Sequence, residues 1–195
     1  MNGITTTIRR FRHTAAAGAL IAATALAGSP ARAGDHPPYS ALSGLEIARD
    51  AALTWSPDAR LVYLENDEPV SADGNAVRWG YLFRSESRGK ARGYSVRDGK
   101  ILEATDLGFD FDAPPLPDSW IDSAVALAAA EGKAGAKFRL EHGGRLAAML
   151  LVRGAFYDRE PDASTWTLVY TSDNEPALFV VVDAAEGKVV RTWRG

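Results

Sequence analysis

The second half of this chain repeats the pattern of the first half, and this repeat constrains the fold more than any other feature. Each half begins with a helix-like stretch and continues with strand-like stretches, one of them led by a tryptophan, Trp79 or Trp166. A glycine turn then precedes a short last strand, at Gly99 in the first half and at Gly187 in the second. A repeat of this length indicates two copies of one supersecondary unit. We therefore predict two small α+β units in tandem.

In the first copy, turn residues and hydrophobic spacing predict one helix and several strands. Ser43 followed by Glu46 has the spacing of a capping box, which predicts a helix start. Residues 77–83 alternate between apolar and other side chains, as expected for a strand with one buried face. Asp98-Gly99 between two apolar stretches predicts a tight hairpin.

The second copy is predicted to follow the same order. Asp118 is the expected N-cap of a helix that ends at Gly132. Residues 137–140 and 147–152 are then expected to form strands on either side of a turn at Gly143-Gly144, beside which His142 would lie.

Composition sets the expected boundaries of these parts. Three prolines and three aspartates crowd the stretch between the copies, which is typical of a linker. The predicted segments are a signal peptide (1–33), a flexible leader (34–39), a first unit (40–105), a Pro/Asp-rich linker (106–117) and a second unit (118–195).

The first 33 residues have the pattern of a signal peptide. Arginines precede an uncharged stretch rich in Ala and Leu, and small residues then end at Ala33. Cleavage is expected between Ala33 and Gly34, and Arg9-Arg10 leaves the general secretory and the twin-arginine routes both open. No second long apolar stretch follows, so we expect an exported product, periplasmic or secreted, without a membrane span.

Charge and cysteine content exclude further classes of function. The formal charge of the 195 residues is −3, but the first 33 residues contain four arginines and no acid. The rest of the chain is therefore acidic, which argues against binding to nucleic acid. The chain has no cysteine, so neither disulfides nor a lipid-modified cysteine are available.

The C-terminal pattern resembles the core of a PepSY domain. A Trp-x-Leu-x-Tyr strand starts at Trp166, and a strand starting at Phe179 leads through Asp183-Ala184 to Gly187. The first copy departs from this spacing at residues 94–99. The resemblance implies two tandem cystatin-like units, each with one helix packed on a curved antiparallel sheet of about three to four strands.

The resemblance also implies a role. PepSY-like domains occur in pro-regions of secreted peptidases and in envelope proteins, and their proposed role is to inhibit or regulate peptidases. No catalytic residue comes with the family, and its motif residues are structural; here these are Trp79, Trp166, Asp183 and Gly187. We expect a non-enzymatic binding or regulatory module whose partner is a secreted or envelope peptidase or another envelope protein.

The sequence offers little catalytic or metal-binding chemistry. Zinc needs several converging ligands, whereas the part after residue 33 has only His36 and His142. Asp110 and Asp112 lack the glycine-containing loop of a calcium site. We expect no catalytic residue, cofactor or metal. The alternative is a periplasmic protein that binds a small ligand in a pocket between the two units; the sequence leaves the ligand-binding residues and the oligomeric state open.

Overall fold

The structure is a computed structural model, and it describes residues 37–109, 111 and 113–195. The predicted signal peptide and its cleavage site, between Ala33 and Gly34, lie outside the described residues. So do residues 34–36 of the predicted leader, including His36, and two linker aspartates, Asp110 and Asp112.

The described chain is an α+β protein with one open antiparallel sheet of eight strands. The strand order is β4-β3-β2-β1-β5-β6-β7-β8. In chain order the elements are α1 (Leu45–Trp55), β1 (Arg60–Asn66), β2 (Trp79–Ser85), β3 (Lys90–Arg97), β4 (Lys100–Asp106), α2 (Ser123–Ala130), a π-helical turn (Glu131–Gly135), α3 (Ala136–His142), β5 (Arg145–Arg153), β6 (Ser164–Thr171), β7 (Leu178–Asp183) and β8 (Val189–Arg194). The α+β class and the antiparallel sheet are confirmed.

The two halves of the chain meet in the middle of this sheet. β1 pairs with β5 in antiparallel register, with Tyr63 opposite Val152 and Glu65 opposite Leu150. Each half thus contributes four consecutive strands to one continuous sheet. The division into two tandem units stays a prediction.

The helices pack on one face of the sheet. Ala48 of α1 and Ala126 of α2 belong to the same buried cluster as Trp79, Trp166 and Leu168. We call the opposite side of the sheet the helix-free face. It is not simply open, because the ring of Phe111, in the linker, contacts Tyr63 edge-on at 5.8 Å between centroids.

The predicted strand at residues 137–140 is wrong, because these residues form part of α3. The helix does not end at Gly132 either. It continues through the π-helical turn to His142, and Gly143 ends it with a φ of +60°. Packing decides this outcome, since Phe138 is buried against the ring of Tyr170 at 6.4 Å. Period-two alternation in four residues is too short to distinguish a strand from a helix.

Two helix caps also differ from the prediction. Helix α1 starts after Gly44 and has no side-chain cap, so the Ser43–Glu46 capping box does not form. The N-cap of α2 is Asp122 rather than Asp118, and its carboxylate accepts a hydrogen bond from Ser123 N at 2.7 Å. The Asp98-Gly99 hairpin is confirmed: both residues have positive φ, as a tight turn of this kind requires.

Candidate functional site

Trp79 and Trp166 occupy matching positions in the core. Both side chains are fully buried. The indole N–H of Trp79 donates to Tyr39 O and that of Trp166 donates to Ile121 O, each at 2.8 Å. The two rings meet edge to face with centroids 6.3 Å apart. These tryptophans join the helix-side layer to the centre of the sheet and are not available to a ligand.

Asp183 and Gly187 shape the turn between β7 and β8. The carboxylate of Asp183 accepts hydrogen bonds from Ala185 N at 2.8 Å and Glu186 N at 2.7 Å. Gly187 N donates to Asp183 O, and its φ of +72° is one that other residues rarely adopt. Their contacts are those of turn-forming residues.

Trp193 is held by its own chain. Its ring stacks on Phe179 with centroids 4.7 Å apart, and the ring of Phe156 lies 6.3 Å away. The guanidinium of Arg191 sits 4.8 Å from the same ring. Phe179 belongs to the neighbouring strand β7, and the contact with Phe156 joins the last strand to the loop before β6.

His142 is the last residue of α3 rather than part of a hairpin turn, and its ring packs against Phe138. Among the residues that the structure describes, no group of three or more His, Cys, Asp or Glu could hold a metal ion.

The most accessible backbone edge of the sheet belongs to β4. As an end strand, β4 pairs with β3 alone among the described strands, so its outer N–H and C=O groups face outward. Six of its seven residues are exposed. Leu102 is 52% exposed, a large apolar side chain at the sheet edge. We call the outer side of Lys100–Asp106 the binding edge.

The other end strand, β8, is more engaged with its own chain. Arg191 forms an ion pair with Asp158 at 3.4 Å, and Arg194 forms one with Glu175 at 3.2 Å. The backbone after the strand is also hydrogen-bonded, because Gly195 N donates to Ala177 O. Asp106 of β4 also forms ion pairs, with Lys90 and Arg92. The two ends of the sheet differ in exposure, since six of the seven residues of β4 but three of the six residues of β8 are exposed.

A cluster of acidic and hydroxyl side chains lies on the helix-free face near β1. The hydroxyl of Tyr63 donates to Glu65 Oε2 at 2.7 Å, and Ser95 Oγ donates to Asp67 Oδ2 at 2.6 Å. A Cβ atom on Gly80 would lie only 2.7 Å from Asp67 Oδ1, so the carboxylate rests directly over this glycine. We call Tyr63, Glu65, Asp67 and Ser95 the acid cluster.

Burial shifts the titration of this cluster. The pKa of Glu65 is raised to about 7, mainly because burial disfavours the charged carboxylate; the hydrogen bond from Tyr63 lowers this pKa and the negative charge of Asp67 adds to the rise. Burial likewise raises the pKa of Asp67, although the hydrogen bond from Ser95 and the positive charge of Arg78 lower it. Perturbed carboxylates of this kind occur at functional sites and also in structural networks.

The acid cluster is connected to the binding edge. Register places Glu103 of β4 opposite Ser95, Ser95 opposite Gly80, and Gly80 opposite Glu65, so these positions form one row across four strands. The charge of Glu103 also raises the pKa of Asp67. Near Glu103 the helix-free side of the binding edge is therefore acidic, which favours a basic side chain of a partner at that point, whereas Arg97 and Lys100 lie opposite each other closer to the turn.

Sequence reasoning did not find the acid cluster. The available signal was the alternation of Tyr63, Glu65 and Asp67, which puts three polar groups on one side of an extended segment. What the sequence could not supply was the position of Gly80 and Ser95 beside them, because those residues belong to other strands.

No protein-family model matches this chain, and no curated protein matches it either. The fold is similar to that of a solved candidate lipoprotein from Clostridium difficile 630, with a TM-score of 0.52 and 12% identity. That likeness covers 76% of this chain and 90% of the other. At this identity the likeness concerns the fold alone.

The C-terminal domain of Bacillus megaterium YpeB is also similar, at 12% identity over 78% of this chain and 64% of that one. Because the TM-score is 0.29, we infer nothing about this chain from that likeness. Within the described residues, no helix has both the length and the apolar character needed to cross a membrane.

Proposed function

We propose that this chain is an exported, non-enzymatic binding or regulatory module that holds an extended polypeptide segment at its binding edge. The single observation that carries the proposal is the exposed outer edge of β4, on which Leu102 lies. Extended peptides commonly bind by adding a strand to such an edge, because the unpaired backbone groups supply hydrogen bonds in register. The seven residues span about 23 Å, with a bulge at Leu102, where the register with β3 shifts.

The chemistry of the edge specifies the partner segment. An apolar side chain would cover Leu102, and a lysine or arginine would lie near Glu103, whose side of the sheet also holds Asp67. A strand added to β4 would then be apolar and basic in alternation. We propose that this segment belongs to an envelope protein. Peptidases are the first candidates, because the resemblance to PepSY domains implies a peptidase partner.

The proposal also includes duplication of one PepSY-like unit. It is supported by the order of the strands, since β1 to β4 run outward from the centre on one side and β5 to β8 on the other. It is supported further by the matching indole hydrogen bonds of Trp79 and Trp166, each to a carbonyl preceding its own helix. Two diverged copies of an ancestral unit account for both features.

A non-enzymatic role agrees with the contacts of the acid cluster. The hydroxyl of Tyr63 donates its hydrogen to Glu65, and the ring of Tyr63 lies against Phe111. The hydroxyl of Ser95 likewise donates its hydrogen to Asp67. These groups satisfy one another, as expected of a polar network that supports a sheet.

The proposal is tested with two matched leucine variants. Leu102→Lys places a charge on the binding edge, whereas Leu140→Lys changes an 87% exposed leucine of α3, far from β4 in sequence. Envelope extract of the host is passed over each immobilised protein. We expect Leu102→Lys to lose a captured protein that wild type and Leu140→Lys retain, because only the first removes the apolar contact at the edge and repels a basic partner segment.

Hydrogen exchange then locates the contact. A captured partner, or a peptide from it, is expected to slow amide exchange at Lys100–Asp106 and to leave β8 unchanged. If protection appears at β8 or on the helices, or if both leucine variants behave alike, the binding edge is not the site. Assays of a captured peptidase with and without this protein decide whether binding inhibits it.

A further inference from the structure

The two end strands of the sheet occupy equivalent positions in the two halves of the chain. β4 follows the turn at Gly99, and β8 follows the turn at Gly187. Within the described residues, β4 pairs only with β3 and β8 only with β7, so each strand leaves one edge without a strand partner. The two edges can therefore be compared residue by residue, counting from the turn glycines.

Both end strands have a bulge at the same place. Leu102 is skipped in the register of β4 with β3, and Val190 is skipped in the register of β8 with β7. Each of these residues comes three positions after its turn glycine. A bulge puts one extra residue into a strand and bends its backbone. The two edges share this irregularity, which supports their equivalence.

The two edges differ in charge at equivalent positions. Four positions after the turn glycine, β4 has Glu103 and β8 has Arg191. Seven positions after it, β4 has Asp106 and β8 has Arg194. All four residues are exposed. Opposite charges that face each other on neighbouring strands stabilise strand pairing, and like charges oppose it. The edge of β4 is therefore acidic where the edge of β8 is basic.

One row of residues across the sheet ends on two of these charges. In strand order the row is Glu103, Ser95, Gly80, Glu65, Leu150, Thr167, Val181 and Arg191. Residues of one row lie on the same face, so Glu103 and Arg191 both lie on the helix-free face. The sheet has eight antiparallel strands, an even number, so β4 and β8 run in opposite directions. A second copy that continued the sheet would thus place its β4 antiparallel to β8, with Glu103 opposite Arg191.

Both charged side chains are available for such a contact. Arg191 pairs with Asp158 at 3.4 Å, but the two side chains are 45% and 80% exposed, and an ion pair this exposed contributes little. Glu103 accepts a hydrogen bond from Thr105 and forms no ion pair within the described part of the chain. A new pair between Glu103 and Arg191 would therefore break no strong contact.

The same register gives the lysine of β4 a favourable neighbour. Because Leu102 is skipped, Lys100 would lie opposite Trp193 on the helix-free face rather than opposite another cation. A lysine ammonium over an indole ring is attracted by the ring. The junction therefore combines one pair of opposite charges with one cation–π contact.

We propose that β8 of a second copy of this chain pairs antiparallel with the binding edge, with Arg191 of one copy opposite Glu103 of the other. This inference deepens the proposed function and rests on it, since both need a β4 edge that accepts a strand. A second copy would compete with a partner for this edge, so self-association would regulate its exposure. The contact joins different surfaces of the two copies, so assembly continues beyond a dimer unless the rotation closes a ring.

Sedimentation velocity on the protein from Gly34 onward tests the contact. The junction is one strand wide, so we expect a dissociation constant of about 0.1 mM that increases with salt concentration. Glu103→Arg and Arg191→Glu each create like charges at the junction and should each weaken self-association about tenfold. An equimolar mixture of the two variants should associate again, because every junction in an alternating assembly then joins opposite charges. Recovery in the mixture also shows that both variants are folded.

Lys137→Glu is the matched control, because it changes the charge of the chain as Arg191→Glu does, at a 76% exposed position on α3. It should leave self-association unchanged. The proposal is overturned if the wild-type protein stays monomeric at about 1 mM, tenfold above the expected dissociation constant. It is also overturned if the mixture stays dissociated or if Lys137→Glu weakens association as much as Arg191→Glu.

Hydrogen exchange separates this proposal from the proposed function. Self-association should slow amide exchange at both Lys100–Asp106 and Val189–Arg194, and protection at other surfaces alone would contradict it. Far below the dissociation constant the chain is monomeric, so partner capture there does not depend on self-association. A monomeric protein that still captures a partner through β4 refutes the self-pairing alone. Self-association without any captured partner refutes the proposed function alone.

Discussion

Replacing each core tryptophan by phenylalanine tests whether Trp79 and Trp166 are equivalent. Phenylalanine keeps an aromatic ring but removes the indole N–H, so the carbonyl of Tyr39 or Ile121 loses its donor in the core. A buried acceptor without a partner costs about 1–3 kcal/mol. The smaller ring leaves unfilled space that costs about 1 kcal/mol more.

Each substitution is therefore expected to lower the free energy of unfolding by about 2–4 kcal/mol, out of the roughly 5–15 kcal/mol typical of a domain. Trp166 should lie at the upper end, since it also contacts Trp120 edge-on at 5.8 Å. Because the rings of Trp79 and Trp166 touch, the double variant should depart from additivity by about 0.5–1.5 kcal/mol.

Urea unfolding, followed by circular dichroism on protein starting at Gly34, measures these costs. Trp55→Phe is the matched control, because Trp55 is half-buried under Arg88 and Arg92 and should change stability by less than about 1 kcal/mol. The reasoning is refuted if Trp166→Phe costs clearly less than Trp79→Phe, or if the two effects simply add.

Two further predictions concern the acid cluster and the helical segment. Because burial raises the folded-state pKa of Glu65 from 4.5 to about 7, the folded protein binds more protons than the unfolded one in that window, and stability should fall as pH rises from 4.5 to 7. Glu65 is partly exposed, so we expect a loss of about 2 kcal/mol. In urea unfolding at several pH values, Glu65→Gln should remove this part of the pH dependence and leave the part that comes from the raised pKa of Asp67. An unchanged pH dependence in this variant would contradict the assignment. Gly135→Ala should destabilise the protein, because its Cβ would lie 2.6 Å from Tyr170 Cζ in the core. In Gly132→Ala the new Cβ atom would lie in open space, so this change should stabilise the helical segment by up to about 1 kcal/mol. Thermal unfolding compares the two variants, and equal effects would refute this account.

Local signals predicted the parts of the fold that depend on a few neighbouring residues. The Asp98-Gly99 hairpin was predictable because two adjacent residues supply the positive φ values that the turn needs. The strand predicted at residues 77–83 is found at Trp79–Ser85, and it was predictable because Trp79, Tyr81 and Phe83 alternate with other side chains. Residues 137–140 were wrongly predicted to form a strand, because the packing of Phe138 against Tyr170 in helix α3 outweighs a weak local alternation.

The candidate sites were less predictable than the strands. Leu102 stands out only when β4 is known to be the last strand of the sheet. Glu65 and Ser95 of the acid cluster belong to different strands, and only the pairing of β1, β2 and β3 brings them into one row. Both sites depend on which strands become neighbours.

The sequence by itself determined the class of the fold, the acidic balance after residue 33 and the pattern of two similar halves, because periodicity and composition are properties of the chain alone. Tertiary structure decided that β1 pairs with β5, so that the two halves share one sheet. It also decided which strand is left as an exposed edge and where carboxylates are buried. These outcomes depend on contacts between residues distant in the chain, whose free energies no local pattern contains.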